Sequence, residues 1–178
     1  MKQRISLTRT KPAPAADKAP VPPKLEVPAE LTAMAKQMTG SWKCTGQAEL
    51  MGTMLDVKAT ITHKADRNLN NFWIQASFVG TAGKLPPFKF TTYTTYDATA
   101  KKLWRVSVNA RGGHGAAWGT IAGTKTTWEG DARWVGGVDV KIRETHEVVS
   151  PKEVKVMGEY SKDGGKTWSK DHEAACKK

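Results

Sequence analysis

From Gly40 to Lys178 the chain consists of ten short segments in which apolar and polar residues alternate. Gly, Pro, Asp or Asn stands at nearly every break between these segments. Alternation with a period of two predicts strands with one dry face and one wet face, and the breaking residues favour tight turns. A chain built almost wholly of strands must protect its sheet edges, and closing the sheet into a barrel removes them. We therefore expect an all-β fold, a closed antiparallel meander barrel of about ten strands.

The predicted strands span residues 40–50, 55–65, 71–80, 88–97, 102–110, 115–122, 126–134, 137–149, 152–161 and 166–177, with bounds good to about two to four residues. Because the links between them are short, neighbours in sequence should pair as antiparallel hairpins. An even number of strands in a meander then brings the first strand against the last, also antiparallel.

Parity within each strand predicts which side chains point into the barrel. The inward sets are Leu55, Val57, Ala59, Ile61 and His63 in the second strand, Trp128, Gly130, Ala132 and Trp134 in the seventh, Val138, Val140, Ile142, Glu144, His146 and Val148 in the eighth, and Trp168, Lys170, His172, Ala174 and Cys176 in the last. One dry face and one wet face per strand indicate a barrel with an apolar inner wall.

The N-terminal part of the chain differs in composition from the rest. Residues 1–28 are rich in Pro, Ala and Lys, which predicts an extended, disordered tail. A short helix is predicted over Ala29–Met38, since Leu31 and Met34 begin an apolar face at helical spacing. We therefore divide the chain into a tail, 1–28, and one barrel domain, 29–178, with the helix at a barrel end or on its outside.

The net charge of +11 favours anionic partners in principle. The first 28 residues hold six of the Lys and Arg residues, and the remaining positive charge is spread along the strands without a long run. This distribution favours solubility and makes nucleic acid an unlikely partner. Lys101, Lys102 and Arg105 around Trp104 could stack on a single strand, but a charged outer face is the simpler interpretation.

The sequence carries few signals for the cellular compartment or the oligomeric state of the protein. No apolar stretch reaches the roughly 18–20 residues that span a bilayer. No signal peptide is visible after Met1, although a Pro-rich tail such as residues 11–28 often follows a cleaved export signal. We expect a periplasmic or extracellular location rather than a cytoplasmic one, and nothing in the chain specifies an oligomeric state.

Cys44 lies in the first predicted strand and Cys176 in the last. If those two strands pair at closure, the two cysteines can come within disulfide distance. The alternative is a pair of buried free thiols, which is the common state in a reducing compartment. A disulfide would favour export.

Residues 161–168 fit an Asp-box pattern, Ser-x-Asp-x-Gly-x-Thr-Trp in outline, which is typical of a hairpin turn closed by a carboxylate. The motif occurs once and no repeat of 40–50 residues accompanies it, which excludes a propeller.

Several motifs resemble those of one barrel family. They are Gly40-Ser41-Trp42 after a short helix, Asn71-Phe72-Trp73, Tyr96-Asp97 before Lys102-Leu103-Trp104, Trp128-Glu129-Gly130, Arg143-Glu144-Thr145 and the closing Asp-Gly-Gly-Lys-Thr-Trp. In order and spacing they resemble a bacterial lipocalin-like (calycin-type) family, domain of unknown function 1579, over about Leu31 to Lys178. The resemblance implies a closed barrel of about ten strands, one end sealed by Trp42, and it implies no reaction.

A more distant resemblance in shape is to nitrobindin, a ten-stranded haem barrel with a histidine ligand in its final strand. His172 stands at the comparable place, but Glu173 follows it where that family has an apolar residue.

Three of the four histidines, together with Glu144, fall on inward faces. The candidate ligand site combines wall residues Trp42, Trp73, Phe90, Trp128 and Trp134 with polar contacts from His63, Glu144, His146 and His172. A mostly apolar pocket with a few convergent polar groups is typical of small-ligand sites. The histidines could instead be satisfied by backbone carbonyls near the barrel rims.

The preferred hypothesis is a non-catalytic barrel that binds a small apolar or amphipathic ligand. One alternative is an interaction module at the cell envelope that uses the basic surface, and another is a haem or metal barrel through His172. No nucleophile–base pair or metal-ligand spacing is present in the sequence, so we expect no catalytic residues, no metal ligands and no enzyme activity.

Overall fold

The structure, a computed structural model, describes residues 25–178, so nearly all of the predicted tail lies outside the described residues. The elements are α1 (Ala29–Met38), β1 (Gly40–Leu50), β2 (Thr53–Ala65), the 3-10 turn η1 (Arg67–Leu69), β3 (Ile74–Thr81), β4 (Phe88–Asp97), β5 (Lys102–Asn109), β6 (His114–Ala122), β7 (Lys125–Arg133), β8 (Asp139–Ser150), β9 (Glu153–Ser161) and β10 (Ser169–Lys177). The helix and all ten predicted strands are present.

The ten strands form one closed barrel. Each strand pairs antiparallel with its sequence neighbours, and β1 pairs with β10 to close the sheet. The predicted closed antiparallel meander is therefore confirmed. Closure leaves no free sheet edge among these strands, which is how an all-strand domain avoids edge-to-edge association.

The closing pair of strands carries a covalent link. Cys44 and Cys176 stand opposite each other in the β1–β10 register. Their sulfur atoms are bonded at 2.04 Å, across 132 residues of sequence. Both residues are 4% exposed and pack in a core cluster with Trp42 and Val154.

One end of the barrel, here called the closed end, is covered by α1. Trp42 is 1% exposed, and its indole Nε1 donates a hydrogen bond of 2.7 Å to the carbonyl of Met38 at the end of α1. The Lys178 ammonium lies 5.1 Å from the Trp42 ring and donates to the Gln37 carbonyl at 3.0 Å. These contacts fix the helix over the end of the barrel where β1 begins.

The opposite end, here called the mouth, is formed by the loops β1–β2, β3–β4, β5–β6, β7–β8 and β9–β10. In the β9–β10 loop the carboxylate of Asp163 accepts hydrogen bonds from the backbone of Lys166 and Thr167 and from two side-chain hydroxyls. Hydrogen bonds from Thr167 and Ser161 lower the pKa of Asp163, so this turn is held by a charged acceptor.

Two local irregularities change details of the predicted strands. β3 begins at Ile74 rather than at residue 71, because Asn70 and Asn71 adopt left-handed φ angles of 52° and 62° in the preceding turn. In β10 the register with β9 shifts between Lys170 and His172. The extra residue, Asp171, reverses the parity.

The bulge overturns one predicted assignment. Lys170 pairs opposite Glu159, an outward residue, and its ammonium forms an ion pair of 2.8 Å with Glu173. Trp168 likewise packs against the outward Arg143, whose guanidinium lies 4.3 Å from the indole ring. The prediction that Trp168 and Lys170 share the inward face of His172 was therefore wrong.

Candidate functional site

The barrel encloses a cavity of about 390 Å³. Most of its wall is apolar, with side chains that include Val57, Ile61, Phe78, Phe90, Val156 and Ala174. The Phe78 and Phe90 rings are stacked with their centroids 4.2 Å apart. The alternation of β2, β3, β4, β9 and β10 supplies this wall, because every second residue of each strand faces the lumen.

Six of the nine predicted site residues line the cavity: His63, Phe90, Trp134, Glu144, His146 and His172. The three others, Trp42, Trp73 and Trp128, do not line it. Trp42 is held in the closed end, and Trp73 precedes β3, where its carbonyl accepts a hydrogen bond from the Asp66 backbone. Trp128 is 1% exposed in a core cluster with Leu103 and Ala117.

Trp134 lies at the mouth in an aromatic pair. Its ring meets that of Tyr160 edge-on with centroids 4.6 Å apart, and the Tyr160 hydroxyl donates to Glu49 at 2.5 Å. This hydrogen bond to Glu49, together with partial desolvation, raises the pKa of Tyr160. The mouth is therefore lined on this side by the Trp134 and Tyr160 rings, and the Tyr160 hydroxyl is already hydrogen-bonded to Glu49.

Arg105 is the main lumen residue that the sequence analysis placed elsewhere. It was expected on a charged outer face, but its side chain is 13% exposed and donates to both oxygens of Glu144, at 2.9 and 3.2 Å. The guanidinium also lies 4.3 Å from the Trp128 ring. Parity with the fully buried Leu103 was the signal available in the sequence, since Trp104 between them faces outward and packs against Trp118.

Glu144 is the centre of a polar cluster. Burial by itself would raise the pKa of Glu144, but the charge of Arg105 and the contacts with His146 and His172 hold that pKa well below its usual value. Because an ionised carboxylate only accepts hydrogen bonds, the Nε2 atom of His146 must carry the proton in its close contact with Glu144. His172 Nε2 lies 4.0 Å from the second carboxylate oxygen.

His172 is held from its other side by Asp171, which accepts a hydrogen bond of 2.8 Å from Nδ1. Burial lowers the pKa of His172, but the Asp171 hydrogen bond and the Glu144 charge outweigh this effect and raise the pKa above its ordinary value. The ring lies over Gly158, where a Cβ atom would overlap it. The bulge at Asp171 and the glycine opposite therefore fix the position of this imidazole.

His63 behaves in the opposite way. Burial, followed by the positive charges of His146 and Lys178, lowers the pKa of His63 to about 4, so the ring is neutral at physiological pH. Its buried Nδ1 atom has no hydrogen-bond partner within residues 25–178. The indole Nε1 of Trp128 is also buried without a partner there, but outside the cavity lining. A buried polar atom without a hydrogen-bond partner is costly, and His63 is a residue of the cavity lining.

These residues do not suit a metal or haem. Among residues 25–178, no group of three or more His, Cys, Asp or Glu side chains is arranged to hold a metal ion. Both ring nitrogens of His172 face carboxylates, and its ring is fixed over Gly158. An iron atom at Nε2 would also lie beside the Glu144 carboxylate, and Nδ1 is already hydrogen-bonded to Asp171.

The fold defines the chain as a closed antiparallel barrel of ten strands. No protein-family model and no curated protein matches the chain. Similar solved structures include Rv2717c from M. tuberculosis, with 10% identity and a TM-score of 0.63, covering 86% of this chain and 99% of that one. They also include the S-type phycobiliprotein lyase CPES from Guillardia theta, with 13% identity and a TM-score of 0.50, covering 83% and 92%. At this identity the likeness shows the fold. No helix within residues 25–178 has the length and apolarity to cross a membrane.

Proposed function

We propose that the protein is a non-catalytic carrier that binds a small amphipathic molecule in the lumen of its barrel. The observation that carries this proposal is the cavity of about 390 Å³, with an apolar wall and a cluster of polar side chains around Glu144. This volume lies within the range of about 300–1,000 Å³ usual for small-molecule sites.

The cavity size limits the ligand. At about 30 Å³ for each water molecule, 390 Å³ corresponds to roughly a dozen waters. The ligand is therefore a compact molecule, and a long lipid would have to extend through the mouth. The stacked Phe78 and Phe90 rings offer a surface for its apolar part.

Three further observations support the proposal. The likeness to a phycobiliprotein lyase supports a ligand-binding barrel, and the sequence motifs support membership of the lipocalin-like family of unknown function described above. The Cys44–Cys176 disulfide supports a location outside the reducing cytoplasm, where such bonds persist.

The proposal is tested by filling the lumen. N-phenyl-1-naphthylamine, a neutral fluorescent probe, should bind the purified full chain with increased emission. Ala174→Phe places a large ring in the cavity, whereas Ala175→Phe, one residue further along β10, places it on the outer face. We expect the lumen variant to lose probe binding at least tenfold and the outer variant to retain it.

Salt concentration separates lumen binding from binding to the basic surface. Probe binding should change little between 50 and 200 mM salt, whereas attachment to an anionic polymer would weaken steeply. Native mass spectrometry of protein purified from its own host should also reveal a bound small molecule. Absence of probe binding to the wild-type chain, or equal binding by the two phenylalanine variants, would contradict the proposal.

A further inference from the structure

We propose that the lumen selects an electrically neutral amphiphile whose hydrogen-bonding group, a hydroxyl in the simplest case, contacts His63. This inference rests on the proposed carrier function and specifies the chemical class of its ligand. Three features of the cavity wall support it: the pairing of its deep charges, the pairing of its mouth charges, and the free nitrogen of His63.

The deep charges of the lumen are all paired within the protein. The Arg105 guanidinium makes two hydrogen bonds to Glu144, so its positive charge is matched at 2.9 and 3.2 Å. The His172 ring donates to Asp171 at 2.8 Å, and His146 donates to the same carboxylate that holds Arg105. Glu144 Oε1 accepts from Arg105 and His146, and Oε2 accepts from Arg105, so the carboxylate charge is already matched within the protein and the guanidinium edge toward Glu144 is occupied.

The mouth repeats this arrangement. At this end of the lining Arg133 forms an ion pair of 2.8 Å with Asp139, and Glu49 accepts the hydroxyl of Tyr160 but keeps its negative charge. Arg143 is paired with Glu159 at 2.6 Å toward the outer face of the barrel. An anionic ligand would meet no unpaired arginine on the wall, and Glu49 would repel it at the entrance.

A charged group that enters the lumen beyond Glu49 would lose its hydration without gaining a partner. Burying an unpaired ion costs several kcal/mol or more, whereas burying a neutral group that keeps its hydrogen bond costs little. To accept a carboxylate or an ammonium, the site would have to break an ion pair that is already well formed. The cavity wall should therefore bind a neutral ligand more tightly than a charged ligand of the same size.

His63 supplies the polar contact that remains. His63 lines the cavity, and its Nδ1 is the one buried side-chain polar atom of the described lining residues that lacks a hydrogen-bond partner. Contact between this atom and a ligand requires the ring to turn toward the lumen. His63 lies in β2 two residues after Ile61 and on the same face. The apolar part of a ligand that is hydrogen-bonded to His63 would therefore lie against the apolar wall. A hydroxyl both donates and accepts, and it satisfies either tautomer of the ring.

A matched series of decyl compounds tests the charge selection. Decanol, decanoate and decylamine have the same chain and differ at pH 7.5 only in a head group that is neutral, negative or positive. Each would compete with N-phenyl-1-naphthylamine for the wild-type full chain. We expect decanol to bind at least tenfold more tightly than either ion.

The outcomes separate the two proposals. If the probe binds but decanoate or decylamine competes as well as decanol, or if decanol does not compete, the selection of a neutral ligand is wrong. If the probe itself does not bind, the carrier function fails.

Variants at two positions locate the selection. His63→Leu should weaken decanol binding about fivefold, the loss of one hydrogen bond, whereas His63→Gln, whose amide can donate and accept, should stay within twofold of wild type. Thr62→Leu, the neighbouring position on the outer face of β2, is the control and should leave decanol binding unchanged. Equal effects of the His63 and Thr62 leucine variants would contradict the contact with His63.

Glu144→Gln gives an independent readout, because it removes the negative charge that neutralises Arg105. Decanoate should then gain at least tenfold in affinity relative to decanol, a reversal that a general disturbance of the fold does not produce. An unchanged ratio in folded Glu144→Gln protein would show that the paired charges do not set the selection. The wild-type decyl series decides the proposal if this variant does not fold.

Discussion

Arg105 of β5 and Glu144 of β8 are joined by two hydrogen bonds inside the barrel, at 2.9 and 3.2 Å, although their strands are not neighbours. The pair therefore connects two parts of the wall across the lumen, in addition to the ladder of the sheet. Their side chains are 13% and 17% exposed, so both charges are largely removed from water and each is the other's nearest opposite charge of full strength.

Arg105→Met should lower the free energy of unfolding by about 2–4 kcal/mol, since it leaves the Glu144 charge buried without its main partner. Arg133→Met is the matched control, because the Arg133–Asp139 pair is 50% and 75% exposed and such pairs contribute under about 1 kcal/mol. Urea unfolding followed by tryptophan fluorescence measures both. Equal losses in the two variants would show that the lumen pair is no more important than a surface pair.

The double variant Arg105→Met with Glu144→Leu should be more stable than Arg105→Met alone. Replacing both partners of a buried ion pair by apolar groups removes the uncompensated charge, and such replacements are often neutral or stabilising by about 1–4 kcal/mol. The same urea unfolding curves give the comparison. If the second substitution adds a further loss instead, the instability of the single variant does not come from a stranded carboxylate.

Much of the fold could be predicted from residue patterns. Strict alternation in β2 and β8 indicated which residues line the lumen, and His63, Glu144 and His146 lie there. A meander with an even number of strands predicted that the strands of Cys44 and Cys176 pair, and the structure places the two residues opposite each other. These features depend on local periodicity and on chain order, and both are visible in a sequence.

Two features were not predicted, because the alternation of apolar and polar residues reveals neither a β-bulge nor an ion pair between distant strands. One inserted residue in β10, Asp171, turned Lys170 outward and became the partner of His172. Arg105 was assigned to solvent because charged residues usually lie there, but Glu144, 39 residues away in sequence, makes it an inward residue. A pair across the lumen can be inferred only after the barrel is closed.

Gly158→Ala should displace the His172 ring, because the added Cβ would overlap it. Moving the ring weakens its contacts with Glu144 and Asp171, so the pKa of His172 should fall toward its ordinary value as measured by NMR titration of the ring protons. Stability should fall by about 1–3 kcal/mol from overpacking.

A double-mutant cycle provides the control for Gly158→Ala. In a His172→Ala background the added methyl group has room, so the same substitution should cost much less than in wild type. Additive losses in the cycle would mean that the glycine is needed for a reason other than the imidazole.

Removing the disulfide with Cys44→Ala and Cys176→Ala should destabilise the barrel by roughly 2–5 kcal/mol, because the bond closes a long loop between residues 132 apart in sequence. The wild-type chain unfolded with and without a reductant should show a difference of similar size. The reductant should have no effect on the double alanine variant. If reduction leaves the unfolding midpoint of the wild type unchanged, the bond does not contribute to stability.

The neutral His63 should make stability fall in mildly acidic solution. Its pKa is lowered to about 4 in the folded chain, whereas the ordinary value of 6.5 applies when the chain is unfolded. Between these two values the unfolded state binds a proton that the folded state does not, so stability rises with pH across this window and is lost as pH falls through it. At about 1.4 kcal/mol per pKa unit the full effect of this one group is about 3 kcal/mol. His63→Gln should remove that portion of the pH dependence in unfolding curves taken between pH 4 and 6.5.

His172 affects stability in the opposite direction. Because its pKa is raised in the folded chain, this histidine stabilises the folded chain at low pH, and the stabilisation is lost as the pH rises through the folded pKa. Ring protons of His63 that titrate near pH 6.5 in the folded protein would overturn the assignment of a neutral imidazole.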